Sequence, residues 1–143
     1  MKLRHFYLLM LLSVAFCSCN EKPENPNVPD AYIDITIDPN STFYQELNTV
    51  GGWMYLTARE PSRGLIVYRW QQNEFLAYDR IPPNYPDSCG SYTRLVVNFP
   101  WVVDSCIMYK YSILDGSLTG NDGYPLVQYW TNYDGVNLRI YNN

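Results

Sequence analysis

Short runs of alternating apolar and polar residues fill the chain from Ala31 onward, and turn residues separate these runs. A period of two places every second side chain on the same face, which is the pattern of a β-strand with one buried face. Asp134-Gly135 separates the last two runs, and Asp-Gly in that setting is a strong hairpin signal. No extended run has the 3.6-residue period of a helix, although Ser41 to Asn48 could form one short helix capped by Asn40 or Ser41. Strands are expected in AYIDITI, GWMYLTA, GLIVYRW, EFLAYDR, TRLVVNF, Val102-Val103, YSILDG, PLVQYWTNY and VNLRIYN.

This pattern and a length of 143 residues predict one all-β domain, in which small antiparallel sheets stack on each other as in a sandwich. The domain is expected to cover residues 31–143, with a core of Tyr, Trp, Ile, Leu and Val. Residues 20–30, NEKPENPNVPD, are polar and rich in proline, and they lack apolar periodicity. They are expected to form a flexible tether before the domain.

Residues 1–19 have the features of an export signal rather than of a strand. Lys2 and Arg4 precede an apolar run over residues 6–16, which is shorter than the roughly 20 residues that a membrane-spanning helix needs. The run ends in Cys-Ser-Cys, which is typical of a bacterial lipoprotein signal, and the preceding Ser18 favours Cys19 as the lipidated residue. An ordinary signal peptide or a buried helix is the alternative. The sequence therefore predicts export and a lipid anchor in the membrane of the bacterial cell envelope, at the outer membrane.

The composition that remains after removal of residues 1–19 excludes several kinds of chemistry. Removal of the signal takes away Lys2 and Arg4. The remaining chain has 8 basic and 14 acidic residues, and its formal net charge is −6. An acidic chain is a poor partner for nucleic acid. His5 leaves as well, and a chain without histidine has no imidazole base, no Ser-His or Cys-His nucleophile pair and no imidazole metal ligand. No glycine-rich phosphate-binding motif occurs either.

Cys89 and Cys106 are the two thiols that remain once the signal is removed and Cys19 is lipidated. They lie in two loops that interrupt the strand pattern: the first cysteine loop, residues 81–92, and the second cysteine loop, residues 104–111. A lone pair of cysteines on neighbouring loops of an exported protein most often forms a disulfide. A metal site with two thiolate ligands is the alternative.

From Phe75 to the C-terminus the order of features resembles a Rieske iron–sulfur domain. A strand ending in Tyr-Asp-Arg is followed by the first cysteine loop, a hairpin, the second cysteine loop, a strand, a glycine turn, a Pro-Leu pair and a closing hairpin. The last part is the most specific: Tyr111 takes the place of the family's aromatic residue, Gly120 that of its turn glycine, and Pro125-Leu126 that of its Pro-Leu. The similarity covers about half of the chain and implies a Rieske-like fold.

The resemblance also implies where an iron–sulfur cluster would be bound, and the family's four ligands are missing from those positions. A Rieske [2Fe–2S] cluster is held by two cysteine thiolates and two histidines. Their places are taken by Pro82 and Asn84 in the first cysteine loop and by Asp104 and Ile107 in the second. No cluster, metal or other cofactor is therefore expected.

The residues around these positions depart from the family in part and agree with it in part. Met108 and Tyr109 stand where the family has a glycine and a serine, and Asn121 follows the turn glycine in place of a proline. Many Rieske domains carry two further cysteines that bridge the two loops; Cys106 matches one of them, and Cys89 lies about two residues from the other. The resemblance thus implies that the bridge is retained without the metal.

We expect a binding or structural module in the cell envelope rather than an enzyme. Tyr85, Pro86, Met108 and Tyr109 are expected either to form a surface for an envelope protein or a glycan, or to plug the space that a cluster would occupy. The many aromatic residues could also form a carbohydrate-stacking platform, but most alternate in strands and are expected in the core.

Two other classes of function remain as alternatives. The first is an iron–sulfur electron-transfer protein, an oxidoreductase component whose atypical [2Fe–2S] site would use Cys89 and Cys106 with Asp104. The second is acid–base catalysis by a carboxylate pair such as Asp79 with Asp104, as in glycoside hydrolysis. Nothing in the spacing supports this pair beyond its position near the two loops.

Overall fold

The computed structural model describes residues 25–142, which form ten strands and one 3₁₀ helix over Thr42–Leu47. Residues 1–24, with the expected signal, Cys19 and the first part of the tether, lie outside the described residues, as does Asn143. None of the helical structure between residues 25 and 142 is long and apolar enough to span a membrane. The strands are β1 (Asp34–Ile37), β2 (Trp53–Leu56), β3 (Leu65–Gln71), β4 (Glu74–Asp79), β5 (Val96–Asn98), β6 (Trp101–Val103), β7 (Lys110–Ser112), β8 (Leu118–Thr119), β9 (Gln128–Tyr133) and β10 (Leu138–Tyr141).

The strands form two antiparallel sheets of different size. The large sheet has six strands in the order β1-β10-β9-β4-β3-β2, and the small sheet has four in the order β5-β6-β7-β8. In the sequence, the whole small sheet lies between β4 and β9, which are neighbours in the large sheet. The small sheet is therefore an insertion between two paired strands. The predicted all-β fold of stacked antiparallel sheets is confirmed.

Strand β3 is a part of the large sheet that is buried on both faces. Leu65 and Val67 point into one cluster of buried side chains, while Ile66 and Tyr68 point into another, as the period of two requires. Burial of an apolar side chain of this size contributes about 1.5–3 kcal/mol. Double-sided burial explains the continuous apolar run at this strand. The first cluster also contains Leu47 of the 3₁₀ helix, and the second contains Val102 and Tyr111 of the small sheet.

The single predicted helix is present, but it is not capped as expected. Ser41 occupies the N-cap position of the Thr42–Leu47 helix. The predicted side-chain cap is wrong, because Ser41 Oγ donates a hydrogen bond to the carbonyl oxygen of Asp38 at 2.9 Å and no side chain caps the helix. The helix is held by its buried Leu47 instead, whose carbonyl oxygen accepts a hydrogen bond from Arg69 Nη1 at 2.9 Å.

The predicted hairpin at Asp134-Gly135 is confirmed. Strands β9 and β10 pair across this turn, with Tyr133 opposite Leu138. Asp134 Oδ1 accepts a hydrogen bond from the backbone N–H of Asn137 at 2.7 Å, which closes the turn. Gly135 has a φ of 100°, a conformation that favours glycine.

Residues 25–30 lie against the first cysteine loop. The side-chain nitrogens of Asn25 and Asn27 donate hydrogen bonds to the carbonyl oxygen of Pro83 at 2.8 and 3.3 Å. The described end of the expected tether thus contacts the domain that it precedes. The division of the chain into signal, tether and domain stays a prediction.

Candidate functional site

The two cysteine loops meet and are covalently joined. The first cysteine loop follows β4, and the second connects β6 to β7. Cys89 and Cys106 form the disulfide expected from the sequence, with their Cα atoms 5.9 Å apart. That separation lies in the ordinary range for a disulfide. Because each sulfur is bonded to the other, neither is a thiolate that could bind a metal ion in this state.

Asn84, at one of the positions where the resemblance places a cluster ligand, ties the first cysteine loop to two other segments. Its Nδ2 donates hydrogen bonds to the hydroxyl of Tyr111 on β7 and to the carbonyl oxygen of Tyr124, both at 3.0 Å. Its Oδ1 accepts a hydrogen bond from the backbone N–H of Tyr124 at 2.8 Å. Gly123 packs so closely that a β-carbon there would overlap with the Asn84 side chain. The amide is fully occupied by contacts within the protein.

Asp104, at the matching position in the second cysteine loop, is buried and only half satisfied. Its Oδ1 accepts a hydrogen bond from the backbone N–H of Cys106 at 2.9 Å, and its own backbone N–H donates to Tyr109. Its Oδ2 is buried and has no hydrogen-bond partner among residues 25–142. A buried acceptor without a partner costs about 1–3 kcal/mol. Asp104 therefore shapes the loop through one oxygen only.

Tyr111 lies beneath both loops and is buried. Burial raises the pKa of its hydroxyl to about 12; the hydrogen bond from Asn84 opposes this shift, and the negative charge of Asp104 adds to it. Tyr111 therefore connects the two loops, because Asn84 of the first loop donates a hydrogen bond to its hydroxyl and the charge of Asp104 in the second loop acts on it. The neutral phenol is the favoured form, and it accepts the Asn84 hydrogen bond.

The side chains at the four positions do not fit a [2Fe–2S] cluster. Pro82 is buried and Ile107 is half-buried, and neither side chain has an atom that can bind iron. The amide of Asn84 is used within the fold, and Asp104 supplies one carboxylate where a cluster needs four ligands. Within residues 25–142, no group of three or more His, Cys, Asp or Glu side chains is arranged to hold a metal ion.

The tips of the two loops form an exposed surface, which we call the loop tip: Tyr85, Pro86, Met108 and Tyr109. The exposed fractions of Tyr85 and Met108 are 57% and 66%. Tyr109 is half-buried, packs against the second core cluster and meets the Tyr85 ring edge to face, with the ring centroids 6.5 Å apart. Of the four side chains expected to form a binding surface or a plug, Tyr85 and Met108 therefore face solvent, while Pro86 and Tyr109 are half-buried.

Asp79, the proposed partner of Asp104 in a catalytic carboxylate pair, is engaged in the fold. It is buried at the end of β4, and its Oδ1 accepts hydrogen bonds from the backbone N–H groups of Arg63 and Ile81. Its Oδ2 accepts a hydrogen bond from the Tyr129 hydroxyl at 2.7 Å. Burial, followed by the charge of Asp79, raises the pKa of Tyr129 above its usual range. A carboxylate bonded in this way starts the first cysteine loop and does not face a substrate.

Sequence reasoning does not find two features of this region. Tyr124 lies 40 residues from Asn84, so no local spacing pairs them. The neighbouring Gly123 is the only indication in the sequence, because a glycine often marks a close approach of backbone to another group. The second feature is a cleft beside the first cysteine loop, whose basic residues come from separate segments.

Comparisons of this chain with models of protein families, with curated proteins and with solved structures give no match.

Proposed function

We propose that this chain is a lipid-anchored protein of the bacterial cell envelope, with a Rieske-like domain that lacks the iron–sulfur cluster and acts as a binding or structural module. Cys19 would carry the lipid, and the outer membrane is the expected location. One observation carries the proposal: the two cysteine loops are bridged by Cys89 and Cys106, while the family's ligand positions hold side chains that cannot bind a cluster.

The chain order of the fold supports the Rieske-like part of the proposal. The resemblance implies two cysteine loops, separated by a hairpin, that lie next to each other, and a closing hairpin after a Pro-Leu pair. The loops are bridged, the β5–β6 hairpin lies between them in sequence, and the β9–β10 hairpin closes the chain. This agreement concerns the architecture and does not by itself fix a function.

Met108 supports the resemblance through its backbone. Its φ is 61°, and it is the one residue other than glycine with a positive φ among residues 25–142. The left-handed conformation costs an ordinary residue roughly 1–2 kcal/mol, whereas glycine adopts it freely. The resemblance places a glycine at this position. The backbone therefore has the conformation that suits the family's residue, although the side chain differs.

The exposure of the loop tip supports a binding role over a plug. A side chain that filled the space of a cluster would be buried, yet Tyr85 and Met108 are largely exposed. Met108 also has an unfavourable backbone conformation, so its presence is not explained by folding stability. Tyrosine and methionine are enriched at protein interfaces. An envelope protein or a glycan is the expected partner.

The test is to purify the full-length chain in uncharged detergent, without oxygen, from iron-replete cells. Iron and acid-labile sulfide per chain, the visible spectrum and the redox state of the peptides containing Cys89 and Cys106 are measured on one sample. We expect almost no iron or sulfide, no visible absorption and both cysteines in one disulfide-linked peptide pair. Stoichiometric iron and sulfide with both thiols protected by metal would instead support the electron-transfer alternative.

A further inference from the structure

A cleft of about 870 Å³ lies between the β2–β3 connection and the first cysteine loop, on a different set of residues from the exposed side chains of the loop tip. Seven basic residues lie between residues 25 and 142, and three of them line this cleft. That concentration is notable because the chain without residues 1–19 carries a net charge of −6. We call this feature the arginine cleft; its lining includes Tyr55, Glu60, Arg63, Arg80, Tyr92 and Arg94.

Arg63 builds a wall of the arginine cleft. Its Nη1 donates hydrogen bonds to the carbonyl oxygens of Pro86 at 2.5 Å and Thr93 at 2.8 Å, and its Nη2 donates to Asp87 Oδ1 at 2.6 Å. These contacts hold the first cysteine loop in place. The guanidinium of Arg63 is therefore used by the fold, and so is the carboxylate of Asp87 on the rim.

Arg80 lies in the cleft, where its guanidinium is held in place but does not use all of its hydrogen-bond donors. Its Nε donates a hydrogen bond to the carbonyl oxygen of Leu95 at 3.1 Å, and its guanidinium carbon lies 3.7 Å from the centroid of the Tyr55 ring. Tyr55 is itself anchored, because its hydroxyl accepts a hydrogen bond from the backbone N–H of Val97 at 2.9 Å. In the described part of the chain, the two terminal nitrogens of Arg80 have no hydrogen bond or ion pair.

The surroundings of Arg80 leave its charge without a partner. Burial lowers the pKa of its guanidinium, and the nearby positive charge of Arg94 lowers it further. Arg94 is exposed, and within residues 25–142 it also has no ion-pair partner. The negative charge of Asp79 opposes this lowering of the Arg80 pKa, but the Asp79 oxygens already accept hydrogen bonds from other groups. An anion between the two arginines would be bound by donors that the fold holds ready.

We propose that the arginine cleft binds a small carboxylate-bearing ligand between Arg80 and Arg94, with the ligand lying along Tyr92. The planar guanidinium matches a carboxylate through two parallel hydrogen bonds. The exposed fraction of Tyr92 is 85%, so its ring is open to a ligand, and the volume suits a molecule of about the size of a disaccharide. Glu60 on the rim and the net negative charge disfavour phosphate, because phosphate places up to two negative charges on one small group, whereas each carboxylate carries one.

The proposal does not rest on the Rieske resemblance, so the iron measurement does not bear on it, and the arginine cleft shares only Pro86 with the loop tip. An acidic sugar and an acidic peptide both present carboxylates, and separate probes distinguish them. Binding of digalacturonate and of the N-acetylated dipeptide Ala-Glu to the full-length chain in uncharged detergent is measured by titration calorimetry. Their neutral counterparts, lactose and N-acetyl-Ala-Gln amide, and inorganic phosphate are measured alongside.

We expect at least one carboxylate probe to bind about tenfold or more tightly than its neutral counterpart and than phosphate. Arg94→Gln, at an exposed position, should weaken that binding about tenfold without changing the melting temperature. Arg80→Lys keeps the charge but loses the fork, and it should also weaken binding. Arg139→Gln is the matched control, because Arg139 lies in β10 next to the opposite edge of the large sheet and should leave binding unchanged.

Three results would overturn the proposal. They are no binding of either carboxylate probe, equal binding of the neutral counterparts or of phosphate, and unchanged binding by the Arg94→Gln variant. Binding of digalacturonate alone would assign an acidic sugar to the cleft, and binding of Ala-Glu alone would assign an acidic peptide.

Discussion

At the residue scale, Asn84 and Asp104 lie at two positions where the resemblance places cluster ligands, and they differ in how far their polar atoms are satisfied. Asn84 satisfies both of its side-chain polar atoms with partners 27 and 40 residues away, so it links distant segments of the chain. Asp104 satisfies one oxygen locally and leaves the other buried and unpartnered. Asn84 therefore stabilises the site, whereas the buried Oδ2 of Asp104 destabilises the folded state.

The role of Asn84 predicts a large stability effect for Asn84→Ala. The substitution removes three hydrogen bonds and leaves the backbone N–H and carbonyl oxygen of Tyr124 without these partners. We expect the free energy of unfolding to fall by about 2–3 kcal/mol. Urea denaturation followed by tryptophan fluorescence measures this loss.

Asn121→Ala is the control for that substitution. Asn121 is exposed, and its side chain donates one long hydrogen bond, 3.4 Å, to the carbonyl oxygen of Thr119. Its removal should change the free energy of unfolding by less than about 0.5 kcal/mol. Equal losses for the two variants would show that Asn84 does not link the segments.

Met108→Gly separates a binding role of the loop tip from a structural plug. Glycine relieves the left-handed backbone at φ 61°, and little buried surface is lost because Met108 is 66% exposed. We expect the free energy of unfolding to stay the same or to rise by up to about 1 kcal/mol. Met108→Ala keeps the unfavourable backbone and should be the less stable of the two variants. A loss of more than about 2 kcal/mol in Met108→Gly would support the plug.

At the element scale, the first cysteine loop is held by several independent contacts. Asp79 accepts a hydrogen bond from the backbone at the beginning of the loop, and Asn84 in its middle bonds to Tyr124. Arg63 donates a hydrogen bond to Pro86, and the disulfide holds the far end of the loop. The disulfide is therefore one of several attachments. Its removal should loosen the end of the loop before it affects the sheets.

The double variant Cys89→Ser, Cys106→Ser tests this arrangement. Cys89 and Cys106 are 17 residues apart in sequence. A bridge that closes a loop of this length restricts the unfolded chain and contributes roughly 3 kcal/mol to the free energy of unfolding. We expect a loss of about that size in urea denaturation, with faster tryptic cleavage after the exposed Arg94.

Wild-type protein in reducing agent serves as the control and should behave like the double variant. An unchanged free energy of unfolding in both samples would mean that the loops are not bridged in solution.

The elements were predictable where the pattern is local, and not where long-range contacts decide. Alternation locates most strands, and Asp134-Gly135 locates the last hairpin. Strand β8 has two residues, too short for any periodic pattern. The pairing of β4 with β9 across the inserted small sheet also has no local signal. The sequence likewise gives no local signal for the arginine cleft, because Arg63, Arg80 and Arg94 come from different segments.

At the scale of the whole molecule, three buried tyrosines make the stability sensitive to alkali. Burial raises the pKa of Tyr111 to about 12, and it raises the pKa values of Tyr78 and Tyr129 above their usual range as well. In the unfolded chain these hydroxyls titrate near pH 10. Below pH 10 the neutral phenols contribute their full stability. Above pH 10 the unfolded state releases protons more readily than the folded state, so stability falls as the pH rises.

We therefore predict a stable protein between about pH 7 and 9 and a steep loss above pH 10. Each of the three tyrosines should contribute a loss of about 1 kcal/mol between pH 10 and 11. Urea midpoints at pH 8, 10 and 11 measure the stability. Absorbance at about 295 nm, where tyrosinate absorbs, reports the ionisation of the tyrosines.

Tyr111→Phe is the variant that assigns this alkaline loss to buried phenols. It removes one titrating hydroxyl from the core while keeping the ring, so the loss between pH 10 and 11 should shrink by about a third. At pH 8 the variant should be less stable than the wild type, because Asn84 loses the hydroxyl to which it donates a hydrogen bond. A variant with the lower stability at pH 8 but an unchanged alkaline loss would show that the Tyr111 hydroxyl titrates equally in the folded and unfolded states. The two pH regions therefore separate the hydrogen-bonding role of this hydroxyl from the effect of its burial.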